Sequence, residues 1–174
     1  PTELDVPPLV IDIVVSLAKQ IDSLTAEVRT LEAKIREWHR TSEASRRLAT
    51  IPGVGVITAT ALAATVTDAS VFRSGRELAA WLGLTPRSNS SGGKERLGRI
   101  TKAGNRYLRT LLIVGATAVL RHVRHKMHGP LIEWVRKLLL TKSARLTTVA
   151  LANKMARIAW AVMARRTVYA NAVA

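Results

Sequence analysis

The feature that most constrains this chain is a heptad repeat between residues 14 and 38. Apolar residues recur there at alternating spacings of three and four, over roughly 25 residues or about 37 Å of α-helix. The a positions are Val14, Ile21, Val28 and Ile35, and the d positions are Leu17, Leu24, Leu31 and Trp38. β-Branched residues at a with leucine at d favour a parallel two-stranded coiled coil. The repeat predicts a dimerisation arm over residues 1–44; the alternative is an amphipathic helix packed on its own domain.

The charge of the chain lies almost entirely in its second half. The 174 residues carry a formal net charge of +15. Residues 1–95 hold 11 basic and 11 acidic residues, whereas residues 96–174 hold 16 basic residues and one acidic residue, Glu133. Such asymmetry points to a polyanionic partner, most often nucleic acid.

Composition excludes several classes of protein. With 48% hydrophobic and 22% charged residues, the chain has a globular balance rather than a disordered one. No window reaches about 18 uninterrupted apolar residues, so a membrane span is not expected. The absence of cysteine excludes disulfides, Cys-based metal sites and a thiol nucleophile, and it fits a reducing cytoplasm.

Beyond the arm, residues 45–174 predict a compact helical domain, so the expected fold class is all-α. Residues 48–59 predict a helix end, a tight turn and a new helix, with Gly53 and Gly55 in the turn. This pattern is typical of a helix-hairpin-helix, in which backbone N–H groups at a helix N-terminus suit a phosphate oxygen. The alternative is a glycine-rich turn between two packed helices.

Apolar spacing and chain breakers predict four further helices, over residues 76–82, 102–126, 131–140 and 145–166. Residues 85–101 are rich in glycine, serine and basic residues, and they predict a polar loop or a weak hairpin. This segment lacks the spacing of a phosphate-binding P-loop.

Basic residues surround this loop and continue into the next helix. Lys102, Arg106 and Arg109 recur at i, i+4 and i+7, which places them on one helix face. Such a stripe can hold phosphate groups. The candidate nucleic-acid contacts are Gly53, Gly55, Arg87, Lys94, Arg96, Arg99, Lys102, Asn105, Arg106 and Arg109.

The sequence offers no convincing metal site. Only Glu133 is acidic after residue 95, and the earlier acids lie mostly at solvent positions of the heptad repeat, so a two-metal nuclease site is not expected. His122, His125 and His128 are spaced by three but lack Cys or acidic partners, which favours a basic surface over a zinc site. We expect no cofactor in this chain.

A candidate nucleophile lies in the loop between Ser88 and Lys94. A serine hydroxyl needs activation or strong transition-state stabilisation, and neighbouring cations can supply the latter at a phosphodiester. Arg87, Lys94 and Arg96 flank these serines. Without further information, a Ser/Gly-rich loop is most often a plain linker.

Three segments carry a resemblance to a known family. LATIPGVGVITATALAA (48–64) and FRSGRELAAWLGLTPRSNSSGGKERLGRITKAGNRYLRTLLIVGA (72–116) resemble the C-terminal domain of insertion-sequence 110/1111-type transposases. These are bridge-RNA-guided serine recombinases related to the Piv/MooV invertases. ALANKMARIAWAVMAR (150–165) is similar to the family's closing helix, so the resemblance covers roughly residues 45–166.

The resemblance implies specific roles. Ser91, directly before Gly92, would attack DNA and form a covalent phosphoserine, with Ser90 as the reserve candidate. An N-terminal RuvC-like domain with acidic ligands for Mg²⁺ is expected but absent from this sequence, so this fragment alone is expected to be inactive. The implied partners are DNA, a guide (bridge) RNA and further copies of the chain in a homodimer or tetramer. The expected location is the cytoplasm of a bacterium or archaeon, associated with the nucleoid.

Two alternatives stay open. The first is a non-catalytic helix-hairpin-helix module for DNA binding and dimerisation, which formation of a covalent adduct would exclude. The second uses Tyr107 or Tyr169 as the nucleophile, as in tyrosine recombinases, but Tyr107 has no histidine nearby in sequence.

Overall fold

The structure, a computed structural model, describes residues 6–88, 97–123 and 128–169. The chain divides into two units, residues 1–38 and residues 39–174. All of the predicted nucleic-acid contacts fall in the second unit.

The heptad repeat forms one long helix, α1 (Pro8–Thr41, 34 residues). The helix begins directly after Pro7, whose carbonyl oxygen accepts from the Val10 N–H at 2.8 Å. None of its residues is buried, and the side chain of Leu24, at a d position, is 60% exposed. The predicted helix is therefore present, and its coiled-coil pairing stays a prediction.

The second unit is mostly helical. Its helices after α1 are α2 (Glu43–Leu48), α3 (Val56–Thr65), α4 (Gly75–Trp81), α5 (Arg106–His122), α6 (Pro130–Thr141) and α7 (Ala144–Ala164), with a 3-10 turn at Ala69–Val71. The helices predicted over 76–82, 131–140 and 145–166 correspond closely to α4, α6 and α7.

The described residues are mostly helical, as predicted, and a short antiparallel pair of strands accompanies the helices. β1 (Pro86–Ser88) pairs with β2 (Leu97–Ile100), with Pro86 opposite Ile100 and an irregular register along the pair. The pairing continues beyond the strands, because the Thr101 N–H donates to the Thr85 carbonyl at 2.9 Å. The weak hairpin considered for this segment is thus the conformation of its two ends; residues 89–96 lie outside the described residues.

Helix α7 is the centre of the second unit. It packs against α2, α4, α5, α6 and the 3-10 turn. Its fully buried side alternates larger side chains, such as Leu151 and Met155, with Ala152, Ala156 and Ala159. The alanines allow neighbouring helices to approach closely, and the larger side chains fill the space between them.

The predicted start of α5 at Lys102 is wrong by four residues. Lys102 and Gly104 both have left-handed backbone angles, with φ of 57° and 71°, so the chain turns before it can become helical. Asn105 then caps the helix, since its side-chain oxygen accepts from the Leu108 N–H at 3.0 Å. The helix ends at His122, and residues 124–127 lie outside the described part.

The turn between α2 and α3 packs tightly on α5. Gly53 has φ of +85°, a conformation that favours glycine. A methyl group on Gly115 of α5 would collide with the Gly53 carbonyl oxygen, and one on Gly53 would meet Val119 Cγ2 at 2.8 Å. These contacts fit the alternative interpretation, a glycine-rich turn between packed helices; the helix-hairpin-helix is not confirmed.

Substitution of Gly115 by alanine tests this close approach. Helix propensity alone favours Ala over Gly by about 1 kcal/mol, yet we expect Gly115→Ala to lower the free energy of unfolding by about 1–3 kcal/mol because of the collision. The matched control is Gly55→Ala, whose methyl group would meet no atom within 4 Å. Urea unfolding of both variants measures the difference, and a stabilised Gly115→Ala would contradict the packing described.

Candidate nucleic-acid interface

An open groove of about 1690 Å³ runs along α7. Its lining extends from Ser143 through Arg165 to Tyr169, and it includes the start of α4, the strands β1 and β2, and Trp134 of α6. We call it the α7 groove. Typical sites for small organic ligands enclose about 300–1,000 Å³, so this groove is large enough for an extended ligand.

The residues that line the α7 groove carry only positive formal charges. Its seven basic residues are Arg76, Arg99, Lys102, Arg145, Lys154, Arg157 and Arg165, and no acidic residue lines it among those described. Such a concave, single-sign surface attracts anions and raises their rate of association.

Besides these cations, partly buried apolar residues line the groove, including two tryptophans, and we call them its apolar floor. Ile100, Ile113, Val149, Trp134 and Trp160 line it and are partly buried. Hydrogen bonds hold the Trp160 indole in place, because its Nε1 donates to the carbonyl oxygens of Ala69 and Phe72, both at 3.1 Å. The groove therefore combines cationic and aromatic surfaces in one concavity.

Lys154 joins these two surfaces. Its ammonium lies 4.6 Å from the centre of the Trp134 ring, in a cation–π contact. Partial burial lowers the pKa of Lys154 below the ordinary lysine value, and the nearby charge of Arg157 lowers it further. A bound anion would oppose both effects.

Two of the predicted contacts, Arg99 and Lys102, line the α7 groove. Arg99 lies on β2, and Lys102 follows it in the turn before α5. Hydrogen bonding fixes the backbone there, since the Lys102 N–H donates to the Gly83 carbonyl at 3.1 Å. Both side chains are exposed to an incoming ligand.

Other predicted contacts lie elsewhere. Arg87 and Arg106 are exposed but do not line the groove. The Asn105 side chain is engaged as the cap of α5. Gly55 is exposed at the start of α3, whereas Gly53 packs on α5.

The structure corrects the prediction for Arg109. Its side chain is buried, with 8% exposed, and its Nη1 donates to the Leu82 and Ala103 carbonyls, both at 2.9 Å. Arg109 therefore fastens the end of α4 to the turn before α5 and is out of reach of a phosphate. The helical spacing suggested one exposed stripe because it could not reveal which face would be covered.

The candidate nucleophiles Ser90 and Ser91, together with Lys94 and Arg96, lie outside the described residues. Along the chain they fall between β1 and β2. Pro86 of β1 and Gly98 of β2 line the α7 groove, so the segment that carries these serines joins two strands of the groove wall.

The described residues do not form a metal site. No group of three or more His, Cys, Asp or Glu residues among them is arranged to hold a metal ion. His125, the middle of the three histidines, lies outside the described residues.

Tyr169 is a poor candidate for the alternative tyrosine nucleophile. Its hydroxyl oxygen is buried without a hydrogen-bond partner in the described part of the chain. Burial raises the pKa of Tyr169, which disfavours the reactive phenolate. Tyr107 is exposed on α5 and does not line the groove.

Sequence reasoning missed the basic residues that α7 contributes, namely Arg145, Lys154, Arg157 and Arg165. One signal was present: Lys154 and Arg157 are three residues apart on the polar side of a helix whose apolar spacing was recognised. Their meeting with Arg99 and Lys102 depends on tertiary packing, which periodicity does not reveal.

Comparison with known proteins finds a family whose sequence pattern matches part of this chain. Residues 45–129 match the family described as Transposase IS116/IS110/IS902. These 85 residues are therefore similar to a transposase domain of this family. The matched range contains Arg99 and Lys102 of the α7 groove and the segment with Ser91.

Relatives along most of the chain bear transposase names. A putative transposase, y4pF/y4sB, of Sinorhizobium fredii is 45% identical over 90% of this chain and 41% of its own length. The transposase of insertion sequence element IS1328 from Yersinia enterocolitica is 35% identical over 98% of this chain and 51% of its own length. The transposase of insertion sequence element IS1111A from Coxiella burnetii is 43% identical over 79% of this chain and 38% of its own length. The chain thus spans about half or less of the length of these relatives.

Within the part of the chain that the structure describes, no helix is both long and apolar enough to cross a membrane. The longest helix, α1, carries charged residues throughout its second half.

Truncation of Arg109 tests its reassignment. We expect Arg109→Met to lower the free energy of unfolding by about 3 kcal/mol, because two carbonyl oxygens lose a charged donor. The control is Arg106→Met, one turn earlier and exposed, which should change stability by less than about 0.5 kcal/mol. Thermal and urea unfolding give both values; equal stability of the two variants would contradict the role described.

Proposed function

We propose that this chain is the DNA-binding C-terminal domain of a transposase and supplies a serine nucleophile for strand cleavage and rejoining. The observation that carries the proposal is the α7 groove, which among the described residues has seven basic and no acidic lining residues, in a chain whose residues 45–129 match a transposase family. DNA phosphates are the anions that such a surface suits. A guide RNA shares this phosphate chemistry, and we propose it as a second partner.

In this proposal Ser91 attacks the phosphorus of a DNA phosphodiester. A bond forms between phosphorus and the serine Oγ while the bond to the leaving strand's oxygen breaks, so phosphoserine and a free hydroxyl end result. A base accepts the serine proton and the leaving oxygen gains one. Arg99, on the strand that follows this segment, can stabilise negative charge on the phosphoryl oxygens. The reverse reaction rejoins DNA.

The family resemblance implies Mg²⁺ ligands in an N-terminal domain, and the described residues of this chain would not hold the ion. They hold no acidic cluster, and Glu133 is the single acid after residue 95. We propose that the metal ligands lie in an acidic, RuvC-like domain outside this sequence.

Two serine variants test the nucleophile. In the full-length protein with Mg²⁺ and its DNA substrate, we expect Ser91→Ala to abolish the covalent protein–DNA adduct, because the attacking oxygen is lost. Ser90→Ala is the neighbouring control and should retain the adduct, measured by denaturing gel electrophoresis with labelled DNA.

An adduct that persists in Ser91→Ala would overturn this assignment. If Ser90→Ala alone lost the adduct, the nucleophile would be Ser90. If the wild-type protein bound DNA but formed no adduct under these conditions, the non-catalytic DNA-binding module would be the better interpretation.

We further propose that α1 pairs with a second copy in a coiled coil. A continuous a/d stripe from Val14 to Trp38 is apolar, and the d residue Leu24 is more than half exposed in the single chain. Burial of such side chains contributes about 1.5–3 kcal/mol each, which favours assembly.

A charge in the stripe tests the pairing. We expect Leu24→Glu to shift the protein from dimer or tetramer toward monomer, since it puts a carboxylate at a buried d position. The control is Ala26→Glu at an f position of the same helix, which should leave the mass unchanged. Sedimentation equilibrium measures the molecular mass of both variants. A wild-type protein that is already monomeric at micromolar concentration would refute the coiled-coil pairing of α1.

A further inference from the structure

Resting on the proposed function, we propose that the α7 groove takes an unpaired stretch of nucleic acid rather than a duplex. Its phosphates lie along the basic residues, and one or more of its bases lie against the apolar floor near Trp134. The site adds Lys154, Arg157 and Trp134 to the residues that contact nucleic acid.

The charges of the groove require a polyanion with several phosphates. Cations of α7 and of its C-cap residue are spread from Arg145 to Arg165, a helical distance of about 30 Å. Arg99 and Lys102 add charge from the side of the hairpin. A single small anion would neutralise a small part of this surface, whereas a strand presents one charge per nucleotide.

The floor of the groove distinguishes an unpaired strand from a duplex. In a duplex the bases are stacked inside, so Ile100, Ile113 and Trp134 would face sugar and phosphate. An unpaired strand offers phosphates and base faces together, and aromatic side chains are the usual platforms for such bases. The combination of apolar floor and basic residues therefore matches an unpaired strand.

Lys154 and Trp134 form the centre of this arrangement. The ammonium lies over the ring, 4.6 Å from its centre, so a base that stacks on this face displaces Lys154, whose ammonium can then pair with the phosphate of the same strand. Arg157 lies close enough to disfavour the charged form of Lys154. A phosphate between the two cations would relieve this repulsion.

Binding of matched oligonucleotides tests the proposal. The probes are labelled oligo-dT and oligo-U of about 16 nucleotides, within the range of known single-strand sites, and a DNA duplex of the same length, all at one salt concentration. We expect Lys154→Gln/Arg157→Gln to weaken single-strand binding about tenfold or more and duplex binding much less. The control is Lys137→Gln, exposed on α6 outside the groove, which should change neither strongly.

A second variant tests the contact between Trp134 and a base without changing the charge of the groove. Trp134→Phe keeps an aromatic ring in the packing of α6, and the quenching of tryptophan fluorescence by oligo-dT should fall sharply. Trp81→Phe, whose ring contacts Phe72 outside the groove, should retain it. Circular dichroism confirms that both variants are folded.

Equal losses of duplex and single-strand affinity, or quenching unchanged in Trp134→Phe, would overturn the proposal. So would unaltered binding of every probe by the Lys154→Gln/Arg157→Gln variant. The tighter of oligo-dT and oligo-U identifies the source of the strand as DNA or RNA, and either supports it. The Ser91 adduct is measured separately, so the unpaired-strand proposal can fail while the transposase proposal stands.

Discussion

The packing of α7 at the centre of the second unit is the constraint on which the rest of that unit depends. One side of the helix is buried against α2, α4, α5 and α6 through small residues such as Ala152 and Ala156. The other side carries Lys154 and Arg157 into the α7 groove. Core and candidate interface are therefore two faces of one helix, and a rotation of α7 that disturbed its packing would also displace the cations.

Much of the fold was predictable because it rests on local periodicity. The heptad repeat predicted α1, and the 4,3,4 spacing of Leu151, Met155, Ile158 and Val162 predicted α7. Errors arose where backbone conformation overrides side-chain pattern. The left-handed residues Lys102 and Gly104 delay the start of α5, and the short strands around residues 89–96 carry too few residues for a clear period.

The candidate site was only partly predictable. The cluster of basic residues near the serine-rich segment predicts contacts at Arg99 and Lys102, and both line the groove. Arg109 belongs to the same i, i+4, i+7 series, yet its guanidinium bonds two backbone carbonyls in the interior. A helical spacing defines which residues share a face, but the neighbours that cover that face are set by the tertiary fold. For the same reason the contribution of α7 was not foreseen.

Among the described residues, no carboxylate lines the α7 groove, and this has a consequence for the free protein. Lys154 and Arg157 are held near each other without a neutralising side chain among the residues that line the groove, so the folded state carries repulsion that unfolding relieves. A polyanion that binds the folded chain removes this repulsion and adds its own binding free energy to stability. Occupancy of the groove and thermal resistance of the domain are thus thermodynamically coupled. Salt screens both the repulsion between the cations and their attraction for the polyanion, so the coupling depends on the ionic strength around the protein.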